Sequence, residues 1–386
     1  MGTSNVADVI VVGAGIIGAA CAFRLSERGL SVVVIDAASA PATGSTGKSA
    51  AGVRVQFSSE TNVRLSWESI QEYRAFPELY GEESEYRPQG YLFLVPEAGV
   101  AEHRGGMAVQ QRVGAPVEEV SLVDAAAYVP FDPSGVALAT YGPADGVIDP
   151  HRTTLAYLRM ARAHGCTVML DSEVVEAERS AAGTWRVTTP AQRFEAPHVI
   201  NAAGAWSGEV GRRAGLKVPV EASLRMVFTT GPTFAGAVYP LTVDVGSGFY
   251  LRSEGDRVLM GRSNPDQVPG FVEGIDWAWL EPTLESGMAR FPWLEHATLD
   301  RRASWWGYYE VTPDHHPILG RMPGADGWLN ACGFSGHGVQ QAAAVGRVIA
   351  EEVVDGRASS IDIDAFRYQR FLDATAGSRS RERHIV

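Results

Sequence analysis

The sequence is poor in the features that mark secreted, membrane-bound and metal-binding proteins. Its 386 residues include three cysteines, Cys21, Cys166 and Cys332, and none of them forms a C-x-x-C pair or another metal-ligand spacing. We therefore expect buried, reduced thiols, as is typical of the cytoplasm, and no metal site. No apolar run approaches the length of a membrane span, and neither a basic leader nor a cleavage site precedes the first predicted strand. These absences predict a cytoplasmic protein without a membrane partner.

Positive charge is also scarce. The chain has 33 Lys and Arg against 45 Asp and Glu, which gives a formal net charge of −12. An acidic chain is a poor ligand for nucleic acid, so we expect no nucleic-acid partner, and an anionic substrate would need cations placed locally. No G-x-S-x-G or Walker motif appears. The length exceeds a single ordinary core, which predicts two domains or one large composite domain.

The sequence does contain a complete dinucleotide-binding pattern, "VIVVGAGIIGAACAFRLSERGLSVVVID". Val9 to Val12 predict a buried parallel strand, a helix follows the glycines, and a second strand ends at Asp36. Gly13 allows a tight turn, Gly15 lets the backbone approach a pyrophosphate, and Gly18 lets helix and strand pack closely. The helix N-terminus then faces the anion, and Asp36 is placed to accept hydrogen bonds from a ribose. The pattern predicts dinucleotide binding without separating NAD from FAD.

Similar strand, glycine-turn and helix segments return in the middle and at the end of the chain, as "HVINAAGAWSGEVGRRAG" and "WLNACGFSGHGVQQAAAVGRVIAEEVVDG". A simple dehydrogenase usually keeps its cofactor unit contiguous, so this interleaving indicates a flavoprotein. We predict an α/β (α+β) fold in which a discontinuous Rossmann-like FAD-binding domain carries an inserted, β-rich substrate-binding domain. The predicted FAD-binding domain comprises residues 1–80, 145–215 and 307–386, and the substrate-binding domain comprises 81–144 and 216–306.

Several separated motifs resemble those of one family, the FAD-dependent oxidoreductases of the D-amino-acid oxidase type, and particularly its glycine oxidase and sarcosine oxidase branch. Besides the opening stretch, the matching motifs are "TGSTGKSAAGVR", "ADGVIDPHR", "NAAGAWS", "GFYLR", "TPDHHPILG" and "GFSGHGVQQAAAVG". Together they span almost the whole chain in the order and spacing of the family. The resemblance implies FAD as cofactor.

Positions that match the family's motifs imply a set of cofactor-binding residues. The first glycine turn would hold the pyrophosphate. The loop that carries "GST" (residues 43–51, the "GST" loop) would touch the flavin, and one strand residue would pair its backbone with adenine. The last glycine turn would lie beside the pyrimidine edge of the flavin, where a helix N-terminus stabilises an anionic ring. The implied set is Gly13, Gly15, Ile16, Ile17, Gly18, Asp36, Ser45, Thr46, Val174, Ala203, Gly204, Trp206, Gly336, His337, Gly338 and Gln340.

Three positions depart from the family's pattern. Monomeric sarcosine oxidases attach FAD to a cysteine shortly before "TPD", where this chain has Gly307, and related dimethylglycine enzymes use a histidine where it has Lys48. The resemblance therefore implies noncovalent FAD. Sarcosine oxidases also place an oxygen-activating lysine after the "GFY" strand, where this chain is apolar at about Leu259. Either the enzyme is a poor oxidase or another cation activates oxygen, and Lys48 is the candidate.

The substrate end of the site is implied by three further matches. Arg54 aligns with the family's carboxylate-binding arginine, and a guanidinium suits a carboxylate because it donates a bidentate pair of hydrogen bonds. A surface arginine paired with a nearby acid is the competing interpretation. Tyr250 and Tyr309 match positions that line the substrate face, although buried tyrosines more often only pack. Gln340 and Tyr309 stand where relatives carry cations, which leaves room for a bulkier or differently held substrate.

The expected function is therefore FAD-dependent oxidation of the C–N bond of glycine or an N-substituted glycine, a small amine with a carboxylate. The imine would hydrolyse to an amine and glyoxylate if the glycine carbon is oxidised, or would release formaldehyde if an N-methyl group is, and O2 would be reduced to hydrogen peroxide. The catalytic set would be Arg54, Lys48, Tyr250 and Tyr309. The first alternative is a dehydrogenase of proline, another imino acid or a D-amino acid that passes electrons to an acceptor other than O2. A tRNA-modifying or purely structural flavin-binding protein is the alternative of a different class.

Overall fold

A computed structural model of the chain describes residues 5–234, 236–372 and 382. The helices are α1 (Ile16–Glu27), α2 (Glu60–Arg74), α3 (Phe76–Tyr80), α4 (Val100–Val113), α5 (Leu122–Tyr128), α6 (Pro150–Ala163), α7 (Ser207–Arg213), α8 (Leu280–Arg290) and α9 (Gly338–Val354). The strands are β1 (Asn5–Val6), β2 (Val9–Val12), β3 (Val32–Ile35), β4 (Gly52–Val53), β5 (Tyr91–Val95), β6 (Glu118–Val120), β7 (Leu138–Gly142), β8 (Gly146–Val147), β9 (Thr167–Met169), β10 (Glu176–Arg179), β11 (Trp185–Thr188), β12 (Arg193–Ala196), β13 (His198–Asn201), β14 (Glu221–Thr229), β15 (Leu241–Asp244), β16 (Phe249–Glu254), β17 (Arg257–Arg262), β18 (Trp305–Val311), β19 (Ile318–Arg321) and β20 (Trp328–Cys332).

A six-stranded sheet in the order β19-β20-β13-β2-β3-β9 forms the half of the fold that the sequence predicts to bind the nucleotide. Its strands are parallel except for the β19–β20 pair. Every residue of β2 and β3 is buried, as expected for strands covered on both faces. Helix α1 packs against α6 and α9. The three predicted strand, turn and helix segments therefore meet in one sheet, although long stretches of sequence separate them.

An eight-stranded sheet in the order β18-β14-β17-β16-β15-β5-β7-β6 forms the second half. It joins two distant stretches of the chain, because β15 pairs in parallel with β5. Strand β18 pairs with β14 along its whole length, from Val311 to Trp305. The domain boundary predicted between residues 306 and 307 thus falls inside a strand of this sheet. Strand β18 is shared, since it leads from this sheet directly into the loop before β19.

Local signals in the sequence explain where several elements begin and end. Helix α6 starts with Pro150, and the side chain of Asp149 caps it by accepting a hydrogen bond from the Arg152 N–H at 2.9 Å. Strands β10 and β11 pair antiparallel and form a hairpin. Within the described residues, no helix combines the length and the apolar character that crossing a membrane requires.

Candidate active site

A cavity of about 540 Å³ opens at the glycine turn between β2 and α1. The turn is shaped by close backbone contacts. Gly13 has φ +113°, and a Cβ there would lie 2.3 Å from the Ala202 carbonyl oxygen, while a Cβ on Gly18 would lie 2.0 Å from the Gly13 carbonyl oxygen. Only glycine allows these approaches without moving backbone atoms. The carboxylate of Asp36 fixes the same turn by accepting the Ala14 N–H at 2.6 Å.

Helices α1 and α9 begin at the cavities, and neither N-cap residue, Gly15 or His337, caps its helix with its own side chain. Helix α1 follows Gly15, and α9 follows His337. The first N–H groups of an α-helix have no partner within the helix, and together with the helix dipole they attract anions. In α1 one of them, on Ile16, donates to Thr46 Oγ1 at 3.1 Å. The glycine turn, the carboxylate of Asp36 and the two helix starts fit the pyrophosphate, ribose and flavin of FAD.

The "GST" loop connects the cavity at the glycine turn to a second, smaller cavity of about 120 Å³. Ser45 and Thr46 line both cavities. The Ser45 hydroxyl donates to the carbonyl oxygen of Tyr308 at 2.7 Å, and the indole N–H of Trp305 donates to the carbonyl oxygen of Lys48 at 2.8 Å. The loop is therefore held against strand β18, and it forms a common wall of the two cavities.

The smaller cavity brings together all four residues predicted to be catalytic: Arg54, Lys48, Tyr250 and Tyr309. They come from the GST loop and the segment after β4, from β16 and from β18. Lys48 is exposed, whereas Tyr250 is 8% exposed. Burial raises the pKa of both Tyr250 and Tyr309, so both phenols stay protonated at neutral pH and can donate hydrogen bonds.

Arg54 is only 2% exposed, so the competing interpretation of a surface arginine is wrong. Its Nη1 donates to the carbonyl oxygen of Gln56, and its guanidinium lies 4.0 Å from the ring centre of Phe57. The Arg54 backbone N–H donates to Gln340 Oε1 at 2.9 Å. Gln340, predicted to touch the cofactor, therefore also positions the backbone of Arg54. These contacts fix the guanidinium at the wall of the smaller cavity.

A buried carboxyl supports this segment from behind. Asp145 Oδ1 accepts the Val55 N–H at 2.9 Å, and Oδ2 accepts Nε2 of Gln56 at 3.0 Å. Burial raises the pKa of Asp145 to about 7, although these hydrogen bonds and the nearby guanidinium of Arg54 oppose the increase. Asp145 does not line either cavity, so its role is to hold the strand-like segment that carries Arg54.

The sequence analysis missed Arg225, which lies on β14 and lines the smaller cavity. Its guanidinium carbon lies 4.8 Å from the ring centre of Tyr309, and Nη1 donates to Ser223 Oγ at 2.7 Å and to the Leu224 carbonyl at 2.9 Å. Burial lowers its pKa. A signal was present, because Arg225 interrupts the apolar run "SLRMVF" of a buried strand.

Glu310 was also missed, although it lines both cavities. It lies on β18, and its carboxylate accepts the Gly333 N–H at 2.7 Å. Burial raises its pKa to about 7, partly opposed by hydrogen bonds from the Gly333 and Phe334 backbones. An acid among the aromatic residues of "WWGYYEV" was the signal. The carboxyl of Glu310 can hold or release a proton at the junction of the two cavities.

Most of the predicted cofactor residues lie at these cavities. Those lining the larger cavity are Gly13, Gly15, Ile16, Ile17, Asp36, Ser45, Thr46, Val174, Ala203, Gly204 and Trp206. Those lining the smaller one are Ile16, Ile17, Ser45, Thr46, Gly336, His337, Gly338 and Gln340. Gly18 lines neither, because it packs against the turn itself.

Two positions differ from what their motifs implied. Val174 lies in the loop between β9 and β10 instead of in a strand, and its carbonyl oxygen accepts a hydrogen bond from Arg213. Val174 nevertheless lies at the larger cavity. The backbone N–H groups of Asp171 and Ser172 donate to the carbonyl oxygens of Ala38 and Asp36, and these hydrogen bonds turn the chain back towards the cavity. Leu259 is buried in β17 and lines neither cavity.

Comparisons with known proteins agree with this architecture. Residues 8–352 match the family described as DAO, FAD dependent oxidoreductase. The chain is 32% identical to FAD-dependent oxidoreductase domain-containing protein 1 of Xenopus laevis, over 95% of this chain and 82% of that protein. Its structure is similar to that of L-proline dehydrogenase from P. horikoshii, with a TM-score of 0.89, 28% identity and coverage of 96% and 99% of the two chains. Glycine oxidase from Geobacillus kaustophilus shares the fold, with a TM-score of 0.82, 24% identity and coverage of 94% and 98%.

Proposed function

Since the chain belongs to the DAO family of FAD-dependent oxidoreductases, we propose that it oxidises the C–N bond of glycine or an N-substituted glycine. For a secondary amine the balanced reaction is R–NH–CH2–COO⁻ + O2 + H2O → R–NH2 + OHC–COO⁻ + H2O2. The observation that carries the proposal is the convergence of Arg54, Tyr250 and Tyr309 on one small cavity that shares the GST loop with the nucleotide cavity.

The protein's own residues bind and orient the substrate. The guanidinium of Arg54 holds the substrate carboxylate, because it is fixed against Phe57 and cannot swing away. The protonated hydroxyls of Tyr250 and Tyr309 donate to the carboxylate or orient the amine. When bound, FAD supplies the acceptor for the hydride that leaves the carbon next to the amine. No general base is needed if the amine binds uncharged.

Noncovalent attachment of FAD is supported by the contact between Gly307 and Lys48. A Cβ at position 307 would lie 2.6 Å from the Cβ of Lys48, closer than carbon atoms pack. A cysteine, which relatives with covalent FAD carry there, therefore does not fit beside Lys48. Lys48 itself is exposed at the smaller cavity, and we propose that its ammonium promotes the reaction of the reduced cofactor with O2.

The second candidate is a dehydrogenase of proline or a related amino acid that uses another electron acceptor. Two observations favour it. The position of the oxygen-activating lysine is an apolar residue buried in β17, Leu259, and the chain is similar over nearly its whole length to an L-proline dehydrogenase. The two candidates share the substrate-binding role of Arg54 and differ in the reaction of the reduced cofactor with O2.

The deciding experiment mixes the FAD-loaded protein without oxygen with glycine, sarcosine, proline and a longer N-alkylglycine, and then admits air. Loss of flavin absorbance with a glycine derivative, fast recovery in air and glyoxylate in solution support the oxidase. Reduction by proline alone with slow recovery in air supports the dehydrogenase. A flavin that no amine reduces contradicts both and leaves the structural or tRNA-modifying alternatives.

Arg54→Ala tests the carboxylate-binding role. We expect the KM for the substrate to rise roughly 10- to 100-fold, since a charge-assisted hydrogen-bonded pair contributes about 1.5–3 kcal/mol, while FAD stays bound. Arg54→Lys keeps the positive charge and should therefore raise the KM less than Arg54→Ala does. An unchanged KM in a variant that retains FAD would show that the carboxylate binds elsewhere.

A further inference from the structure

Arg225 is a partly buried cation whose charge is not balanced by any acid of the described residues. Its hydrogen-bond acceptors are neutral, the hydroxyl of Ser223 and the carbonyl of Leu224, and its Nε has no hydrogen-bond partner in the described chain. No ion pair of the described residues includes it. Removing a guanidinium from water without a counter-charge is costly, and an anion bound beside it would offset that cost.

The described residues of the cavity lining do not supply that anion. Among them are three cations, Lys48, Arg54 and Arg225, and a single acid, Glu310. The carboxylate of Glu310 is already engaged by backbone N–H groups, and its pKa of about 7 leaves it only partly ionised at neutral pH. One substrate carboxylate bound at Arg54 would therefore leave the cavity with uncompensated positive charge at Arg225.

Arg54 and Arg225 occupy different walls, and Tyr309 is near both. Arg54 follows β4 and stacks on Phe57, whereas Arg225 lies on β14 and stacks over Tyr309 at 4.8 Å. Both guanidinium charges act on the phenol of Tyr309 in the direction that favours its ionisation. All three side chains line the smaller cavity, so a ligand seated against Tyr309 would lie between the walls that carry the two guanidinium groups.

We propose that Arg225 binds a second acidic group of the substrate, so that the preferred substrate is a secondary amine with two carboxylates, an N-(carboxyalkyl) amino acid. This inference rests on the proposed function, since it names the substrate class for the same site. The oxidation keeps its balance, with R in the reaction above carrying the second carboxylate. For iminodiacetate the products are glycine and glyoxylate, with O2 reduced to hydrogen peroxide.

The test measures binding without turnover. Thiodiacetate has two carboxylates and a sulfur in place of the amine, and methylthioacetate has the same sulfur and one carboxylate. Each is titrated into the FAD-loaded protein, and the dissociation constant is read from calorimetry and from the change in flavin absorbance. We expect thiodiacetate to bind roughly 10 to 100 times more tightly, and Arg225→Met to remove most of that ratio. Arg225→Lys should restore part of it.

Arg262→Met is the matched control. Arg262 lies in the same sheet, donates to the Ser247 carbonyl and stacks on Trp279, but it does not line the cavity, so its loss should leave the ratio unchanged. Equal affinities for the two analogues in the native protein overturn the proposal, even if the Arg225 variants do not fold. A changed flavin reduction potential in Arg225→Met with an unchanged ratio also overturns it, because Arg225 would then serve the cofactor.

The same protein samples separate failure of this inference from failure of the proposed function. Selective binding of thiodiacetate, with no amine able to reduce the flavin, would keep the two-anion site and contradict the oxidation. Reduction of the flavin by sarcosine and iminodiacetate with equal kcat/KM, and no selectivity between the analogues, would keep the oxidation and contradict the second anion site.

Discussion

The larger cavity, which we propose holds the nucleotide (the nucleotide cavity), and the smaller one, which we propose holds the substrate (the substrate cavity), share Ser45 and Thr46. They are nevertheless built from different atoms. The nucleotide cavity depends on backbone, namely the glycine turn and the start of α1, and its core lies within one continuous stretch from residue 9 to 36. The substrate cavity depends on long side chains, Arg54, Arg225, Tyr250 and Tyr309, from separate strands and loops. The first cavity is therefore sensitive to added atoms, and the second to lost or altered charges.

The largest effect should come from an added methyl group in the nucleotide turn. In Gly18→Ala the new Cβ would lie 2.0 Å from the Gly13 carbonyl oxygen, a backbone atom that cannot move without opening the turn. We expect a cost of about 3 kcal/mol or more, which corresponds to about 100-fold weaker FAD binding. FAD content after purification and a fluorescence titration measure it.

Gly105→Ala is the control, because that glycine lies in α4 with open space around its Cβ position. This substitution should leave FAD binding unchanged and raise stability by up to about 1 kcal/mol. Normal FAD affinity in Gly18→Ala would contradict the close approach of position 18 to the carbonyl oxygen of Gly13.

A medium effect should come from Glu310, the carboxyl at the junction of the cavities. Burial raises its folded pKa from 4.5 to about 7, so the folded protein keeps a proton that the unfolded chain loses. The free energy of unfolding should therefore fall as the pH rises from about 4.5 to about 7, and this loss is complete above that pH. In Glu310→Gln this pH-dependent loss disappears. The free energy of unfolding of the variant, relative to that of the native protein, should therefore rise by up to about 3 kcal/mol between about pH 4.5 and about pH 7.

Urea unfolding of both proteins near pH 5 and near pH 8, with and without FAD, checks this prediction. Exposed Glu118→Gln should show no such pH-dependent difference. A difference between Glu310→Gln and the native protein that is independent of pH would show that the carboxyl is ionised in the folded state throughout.

The smallest effect should come from Gly307→Ala at the edge of the substrate cavity. Its Cβ would meet the Cβ of Lys48 at 2.6 Å, and we expect a loss of about 1–3 kcal/mol in the free energy of unfolding. Here the obstacle is a side chain, so Lys48→Gly in the double variant should recover most of the loss, which a double-mutant cycle measures. Additive losses in that cycle would contradict the contact.

The local sequence was sufficient to predict much of the half of the fold that contains the glycine turn. The apolar strands β2 and β3, the glycine spacing between them and the acid at position 36 are read from neighbouring residues, because a βαβ unit is stabilised within one short stretch. The family resemblance extended this to the other glycine turns, and Gly336 and Ala203 indeed lie at the cavities. Leu259 and Val174 were harder, since aligning a motif does not determine whether a residue faces a cavity or lies in a strand.

The sequence by itself determined the Rossmann-like unit, the family and the set of residues around Arg54, since these follow from local spacing and contiguous motifs. Only the tertiary structure decided that β5 pairs with β15, that β18 continues across the predicted boundary, and that Arg225 and Glu310 face the cavities. The physical reason is that pairing between distant strands sets which face of each strand points inward, and a shift of one residue reverses every side chain. The charge of the substrate cavity is thus a property of the assembled sheet.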